Sequence, residues 1–317
     1  MTALPSSLQL ALENLSETVP LFALRSAYQA LSDAYHRGEN SFFSFTRPEQ
    51  VLAYLLARLP ATYAAVYKTM LALKESLPEW ECKSVIDIGA GPGTASWAAA
   101  EIFPHLEKIT LLEKSPEMLL MGQKLATSSA HTALREATWL KQDLSAPFSL
   151  PAADLAIFSY VFAETPCLEL AKRFYEQGSN VLIVEPGTPK GFANILKLRD
   201  AFLELGAFIA APCPHALACP SASWCHFPAR VERTKLHKLL KEGSLGYEDE
   251  KYSYIAVSHL QPKKPILGRV VDKPLKLSGH VKLSLCTNEG KLELKTISRK
   301  QKELYRQARD AEWSSSL

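Results

Sequence analysis

The sequence predicts an α/β protein built on a mostly parallel sheet, with a helical cap before it and a small β-rich element after it. Between Lys83 and Glu185, short β-branched runs alternate with amphipathic stretches, as expected for strands covered by helices on both faces. The first run (Val85, Ile86, Ile88) passes straight into Gly89-x-Gly91-x-Gly93 and then into a small-residue helical stretch of Ala95, Ala98, Ala99 and Ala100. Beyond Gln261 the pattern changes to short alternating segments around Arg269–Val271, Val281–Leu285 and Leu292–Ile297. These shifts divide the chain into 1–78, 79–260 and 261–317.

Residues 6–76 read as helices. Leu8, Leu12 and Leu15 share a face, as do Leu21, Leu24, Tyr28 and Leu31. Pro48 after Arg47 suits a helix start, and Val51, Leu52, Leu55, Leu56 and Leu59 form a stripe. Tyr63, Val66, Tyr67, Met70 and Leu73 continue it after Pro60. The Ser41–Thr46 loop, with Arg37 and Arg47 beside it, either contacts RNA or packs inward. The strands that follow the glycine turn are Lys108–Glu113, Ala137–Leu140, Asp154–Ser159 and Asn180–Glu185, with a helix from Pro116 to about Ala126. An amphipathic helix follows Pro189 and ends near Gly206, and Lys251–Val257 alternates like the last strand of the sheet.

The glycine spacing selects the ligand. A dinucleotide fold spaces its glycines G-x-G-x-x-G so that a helix N-terminus meets a pyrophosphate. Here the spacing is G-x-G-x-G and Asp87 precedes it, an acid that repels phosphate but suits a ligand with an amino group and a sulfonium charge. Glu113, twenty residues after Gly93 and at the end of a strand, is placed to accept both hydroxyls of a ribose. Together Asp87, Gly89, Gly91, Gly93 and Glu113 resemble the S-adenosylmethionine site of class I methyltransferases, whose sheet is Rossmann-like. Asp143, in Gln142-Asp-Leu144, stands where such enzymes often hold the adenine amino group; a turn or N-cap role fits it equally.

Catalytic residues are expected after the fourth strand. Enzymes that methylate base amino groups place Asn or Asp, two prolines and an aromatic there; this chain has Ser159-Tyr-Val-Phe-Ala-Glu164. Ring methylation needs a cysteine nucleophile just past that strand. Cys167 lies farther along and reads as a buried structural thiol. Tyr160, Glu164 and Glu185 are candidates to touch a methyl acceptor, and no residue is assigned as catalytic.

The second informative stretch is 212–227, where Cys213, Cys219 and Cys225 recur with five residues between successive pairs. In a reducing compartment such loops bind zinc or iron–sulfur, and the spacing does not choose between them. Three local ligands need a fourth: His215, His226 or Cys286. The run Pro-Cys-Pro-His…Cys-Pro…Trp-Cys-His-Phe is similar to that of the ribosomal small-subunit methyltransferase-like family, which comprises mitochondrial small-subunit assembly proteins and bacterial relatives. The likeness includes Glu248–Tyr254, the Cys286 segment with Gly290, and Tyr305…Ala308-Arg…Trp313, and it runs from about residue 20 to the end. The resemblance implies a four-iron, four-sulfur (4Fe-4S) cluster on Cys213, Cys219, Cys225 and Cys286, and S-adenosylmethionine at the five residues of the glycine motif. Some family members work as assembly factors without a known methylated product.

The chain of 317 residues is 47% hydrophobic and 22% charged, an ordinary globular composition, and its net charge of +3 alone does not argue for nucleic acid. No apolar run reaches the roughly 18 residues of a membrane span, so no membrane partner is expected. Met1–Pro20 carries two glutamates and no basic residue, unlike a secretory or mitochondrial leader, and a cytoplasmic, bacterial member is expected. Arg230, Arg233 and Lys241 are expected on one helix face, with His237 between them. Lys263, Lys264, Arg269, Lys273, Lys276, Lys282, Lys291, Lys295, Arg299 and Lys300, then Tyr305, Arg306 and Arg309, suggest contact with rRNA phosphates from a partial barrel, an OB-like element. The function expected is an S-adenosylmethionine-dependent methyltransferase acting on small-subunit rRNA or a precursor of that subunit. The alternatives are a non-catalytic assembly factor that keeps both sites, or a small-molecule methyltransferase with a structural zinc.

Overall fold

The computed structural model describes residues 1–36, 47–221, 223–241, 243–262 and 266–317. The Ser41–Thr46 loop with Arg37, and Lys263 and Lys264, lie outside them. The chain begins with α1 (Ser6–Ser16), α2 (Leu21–His36) and α3 (Pro48–Ser76). It continues through β1 (Ser84–Ile88), α4 (Thr94–Ile102), β2 (Lys108–Glu113), α5 (Pro116–Ala126), α6 (Thr132–Arg135) and β3 (Thr138–Lys141). Then come β4 (Leu155–Ser159), α7 (Leu168–Glu176), β5 (Asn180–Pro186), α8 (Pro189–Glu204) and β6 (Phe208–Ala211). β7 (Phe227–Glu232), α9 (Lys235–Lys241) and β8 (Tyr247–Ser258) complete this part. The tail holds β9 (Gly268–Val270), β10 (Leu275–Leu277), β11 (His280–Thr287), β12 (Leu292–Ser298) and α10 (Lys302–Asp310).

The main sheet runs β3-β2-β1-β4-β5-β8-β6, with β7 also paired to β8. β1 to β5 pair in parallel and β8 is antiparallel to β5, β6 and β7. This is the doubly wound, class I methyltransferase-like sheet that the sequence predicts. Strand side chains alternate between two cores. Val85, Leu111, Leu155, Ile157, Leu182 and Val184 pack with α1 to α5, whereas Ile86, Phe158, Val181, Ile183, Ile255 and Val257 pack with α7 and α8.

α3 is a single 29-residue helix that continues through Pro60. A proline inside a helix removes one hydrogen bond, at a cost of ~3 kcal/mol or more. Burial of Leu52, Leu55, Leu59, Tyr63, Val66 and Met70 in the first core offsets that cost. The two apolar stripes flanking Pro60 in the sequence are thus one continuous face. α8 packs close to the end of β5: a Cβ on Gly191 would be driven into the Pro186 carbonyl oxygen. Gly191→Ala is expected to destabilise the protein by about 2 kcal/mol, read as a shift in the urea midpoint. An unshifted midpoint would show that α8 can move aside.

The β-rich tail is a separate four-stranded antiparallel sheet centred on β11, with β12 on one side and β10 and β9 on the other. Val281, Leu283, Leu285 and Ile297 pack beneath it with Ala308 of α10 and Ala311 just beyond. Arg230 does not lie on a helix. It belongs to β7, which pairs with Tyr247–Tyr252 of β8, because Phe227, Ala229 and Val231 alternate inward.

Candidate functional site

Three glycines shape the turn after β1. Gly89, Gly91 and Gly93 have φ of 65°, 54° and 80°, a left-handed backbone that side chains disfavour. Gly89 also lies against Val161, so the turn after β4 closes over it. Asp87 and Glu113 stand at or near the carboxyl ends of neighbouring strands β1 and β2. This is the edge where open α/β sheets bind ligands.

Asp87 is 1% exposed. Its Oδ2 accepts from the Ser96 backbone N–H at 3.2 Å and from the Ser96 hydroxyl at 2.9 Å, which ties the first turn of α4 to β1. Its Oδ1 is buried without a hydrogen-bond partner among the described residues. Burial pushes the Asp87 carboxyl up to about 7, against the lowering effect of the two Ser96 bonds. Glu113 accepts from the backbone N–H groups of Gly91 and Ser115, each at 2.8 Å. These bonds fix its carboxylate against the glycine turn. Asp143 does not join this group through hydrogen bonds: exposed after β3, it accepts from the Ser145 N–H at 2.9 Å and hydroxyl at 2.7 Å, the turn alternative of the sequence reading.

Past β4 the side chains form a polar network that the sequence only partly revealed. Tyr160 has φ 62°, and its hydroxyl donates to Glu250 Oε1 at 3.1 Å. Arg58 of α3 reaches the same oxygen at 3.1 Å and the second oxygen at 3.5 Å. Glu185 at the end of β5 is fully buried. It accepts from the Phe162 N–H at 3.0 Å and the Asn194 amide at 3.4 Å, while burial pushes its carboxyl up to about 7. Glu164 is exposed on the same edge. Arg58 and Glu250 were missed because they are 192 positions apart and join only when α3 lies across β8. The one available signal is an arginine beside the apolar stripe of α3. Cys167 is buried, as expected, and its thiol is pushed up to about 12 by burial.

Asp87 and Glu185 carry protons in the folded chain at pH values where the unfolded chain has released them. The stability they contribute is full below about pH 4 and is lost as pH rises through 7. The cost is up to ~1.4 kcal/mol per pH unit per group. The unfolding temperature of the ligand-free protein is therefore expected to fall between pH 5 and pH 8. A midpoint that rises steadily across that window would contradict this.

The cysteine segment lies between the main domain and the tail. Cys213, Cys219, Cys225 and Cys286 all line one cavity of about 460 Å³, with Arg199, His215, Trp224 and Trp313. His215 Nε2 stands 3.4 Å from the Cys286 sulfur. Among the described residues, no three His, Cys, Asp or Glu side chains gather closely enough to hold a single metal ion. Zinc would draw its sulfurs to about 2.3 Å from one centre. The four cysteines, with His215 and His226, are spread around the cavity rather than gathered on one centre.

The basic face expected at Arg230, Arg233 and Lys241 is neutralised. Arg230 makes a two-bond pair with Asp249 at 2.7 and 2.8 Å, with its guanidinium 4.1 Å from the Tyr247 ring centroid. Arg233 and Lys241 each reach Glu248 at 2.8 Å, and His237 Nε2 lies 3.4 Å from it. The register of β7 on β8 brings these carboxylates across. In the tail, Arg269 points inward to the Pro212 and Ser314 carbonyls. Lys273, Lys276, Lys295, Arg299 and Lys300 are exposed.

A doubly wound sheet with acids and left-handed glycines at its ligand edge defines a methyltransferase-like protein. Residues 48–317 match the family described as mitochondrial small ribosomal subunit Rsm22, and the chain belongs to that family. It is 25% identical over 289 residues to the human mitochondrial ribosome assembly protein METTL17, covering 84% of this chain and 62% of that one. It is 24% identical over 326 residues to the mitochondrial Rsm22-cox11 tandem protein 2 of Schizosaccharomyces pombe, covering 83% of this chain and 42% of that one. The chain therefore spans less than two thirds of the length of these relatives. Solved structures of similar fold include a SAM-dependent methyltransferase from Aquifex aeolicus, at 13% identity and TM-score 0.41, over 67% of this chain and 97% of that one. Another is magnesium protoporphyrin IX methyltransferase from Synechocystis with bound SAM, at 12% identity and TM-score 0.38, over 73% and 97%. Neither bears on substrate.

The comparisons overturn the expected cytoplasmic location, since the matching family and these relatives are named as mitochondrial. That expectation rested on the charge of Met1–Pro20, which does not determine compartment. Among the described residues no helix is long and apolar enough to cross a membrane.

Proposed function

We propose that this chain binds S-adenosylmethionine at the β1–β2 edge and works on the small ribosomal subunit or its precursor as a methyltransferase-like protein. The convergence of Asp87, Glu113 and three left-handed glycines carries the reading. The unpartnered Asp87 Oδ1 is an acceptor for the cationic methionine end, and Glu113 is an acceptor beside the ribose position. Gly91, lacking a side chain, lets the ligand lie against bare backbone, with open space where its Cβ would be. Asp143 remains a candidate for the adenine amino group. When bound, S-adenosylmethionine supplies an electrophilic methyl group; the chain contributes orientation and the exclusion of water.

In this reading 1–78 and 79–260 form the ligand-binding body, and 261–317 presents exposed lysines and arginines to rRNA phosphates. The family membership and the naming of the human relative as a ribosome assembly protein support the ribosomal target. Cys213, Cys219, Cys225 and Cys286 would hold a 4Fe-4S cluster. Three of its ligands come from the body and one from β11, so it would join the tail to the body.

A second reading, assembly without catalysis, is favoured by the residues after β4. Tyr160 there is committed to Glu250 through its hydroxyl and to Val184 through its backbone N–H at 2.7 Å. Transfer of labelled methyl to small subunits from cells lacking the protein separates the two. Label in rRNA that disappears with Asp87→Ala establishes the enzyme. Particle binding and ligand binding without label establish the assembly factor.

A further inference from the structure

Arg199 lies on the inward face of α8 with Ile195, Leu198 and Phe202 and is 2% exposed. Its guanidinium donates to the backbone carbonyls of His215, at 3.1 Å, and Leu217. The carboxylate beside it, Asp200 at 3.2 Å, has a side chain 59% exposed, so water screens that pair. Arg199 Nε is buried with no partner among the described residues. A guanidinium removed from water without a buried counter-charge is far costlier than such a surface pair can offset. Arg199 lines the same cavity as Cys213, Cys219, Cys225 and Cys286.

We propose that Arg199 is the buried counter-charge of an anionic iron–sulfur cluster on these four cysteines, and that it raises the reduction potential of that cluster. The inference rests on the cluster reading above. Four thiolates leave such a cluster with a net negative charge, which grows by one when it takes up an electron. A fixed cation in a low-dielectric wall therefore stabilises the reduced form more than the oxidised form. Arg269 of β9, bonded to the Pro212 carbonyl at 2.9 Å, brings a second, less buried cation beside the cysteine segment.

The test uses the full chain purified without oxygen, as wild type, Arg199→Gln and Arg199→Lys. Iron and sulfide are assayed, and dithionite supplies the electron in a titration followed by electron paramagnetic resonance. At the potential where wild type is half reduced, the reduced-to-oxidised ratio in Arg199→Gln is expected to be at least tenfold lower, about 59 mV for a one-electron couple. Arg199→Lys, which keeps the charge, is expected to stay within about threefold of wild type. Arg199→Gln with a full cluster and a wild-type ratio overturns the proposal. If Arg199→Gln holds no iron, Arg199→Lys decides: iron retained supports the charge, whereas iron lost assigns Arg199 to the carbonyl clamp and overturns it. Wild type without iron and sulfide removes the cluster reading itself, a result visible before any variant is made.

Discussion

Asp87→Ala is expected to lower the affinity for S-adenosylmethionine at least tenfold while the chain still folds. The substitution removes the buried carboxylate proposed to meet the cationic end of the ligand, and leaves the Ser96 N–H and hydroxyl without their acceptor. Unpaired buried donors cost about 1–3 kcal/mol, enough to loosen the first turn of α4 beneath the glycine loop. Asp87→Asn separates the two effects, because its amide oxygen can still accept from Ser96 but carries no charge. With the wild type, affinity is expected to rise as pH passes through about 7, where the Asp87 carboxyl ionises. With Asp87→Asn that rise is expected to be absent. Calorimetric titration across pH 6 to 8 measures both, and equal affinities for wild type and Asp87→Asn at pH 8 would show that the charge is not used.

Glu248→Ala is expected to destabilise the fold by about 3 kcal/mol. Glu248 is the shared partner of Arg233, Lys241 and His237, whose side chains are 16%, 13% and 0% exposed. Burial alone would push its carboxyl up, yet hydrogen bonds from Lys241 and Arg233, with His237 3.4 Å away, hold it well below the usual carboxylate range. Removing the carboxylate strands two half-dry cations between α9 and β8, which is costlier than losing an exposed pair. Glu303→Ala is the control: it breaks the exposed Arg306–Glu303 pair and is expected to change stability by less than about 0.5 kcal/mol. Urea unfolding at neutral pH compares them. A Glu248→Ala loss as small as that of the control would mean that water reaches the cluster freely.

Much of the fold was legible because its signals are local. β-Branched runs, the glycine turn and Pro48 mark β1 to β5 and the start of α3 within a few residues of chain. The tail strands β11 and β12 were legible from alternation alone. Lys235–Lys241 is helical as expected, but Arg230 was misread for a physical reason: cations at helical spacing and a strand with alternating Phe227, Ala229 and Val231 compete over Phe227–Glu232. The strand wins through pairing with a segment twenty residues away. Similarly, Arg58, Glu250 and Arg199 look like surface charges in the sequence and are drawn inward by packing.

The sequence by itself determined that a doubly wound sheet would carry Asp87, Gly89, Gly91, Gly93 and Glu113, since the strand-to-helix turn needs glycine and each acid sits at or near the end of a buried strand. It also determined that Cys213, Cys219 and Cys225 belong together, because they share one short segment stiffened by prolines. Cys286 was already implied by the family resemblance, and the structure places it on the same cavity. Only the tertiary structure decided that Arg199 lines that cavity and that Glu248 and Asp249 neutralise the expected basic face. Each of those depends on which strands pair and which helix lies across them. Burial then sets the worth of each charge, and burial is a property of the packed chain rather than of any stretch of it.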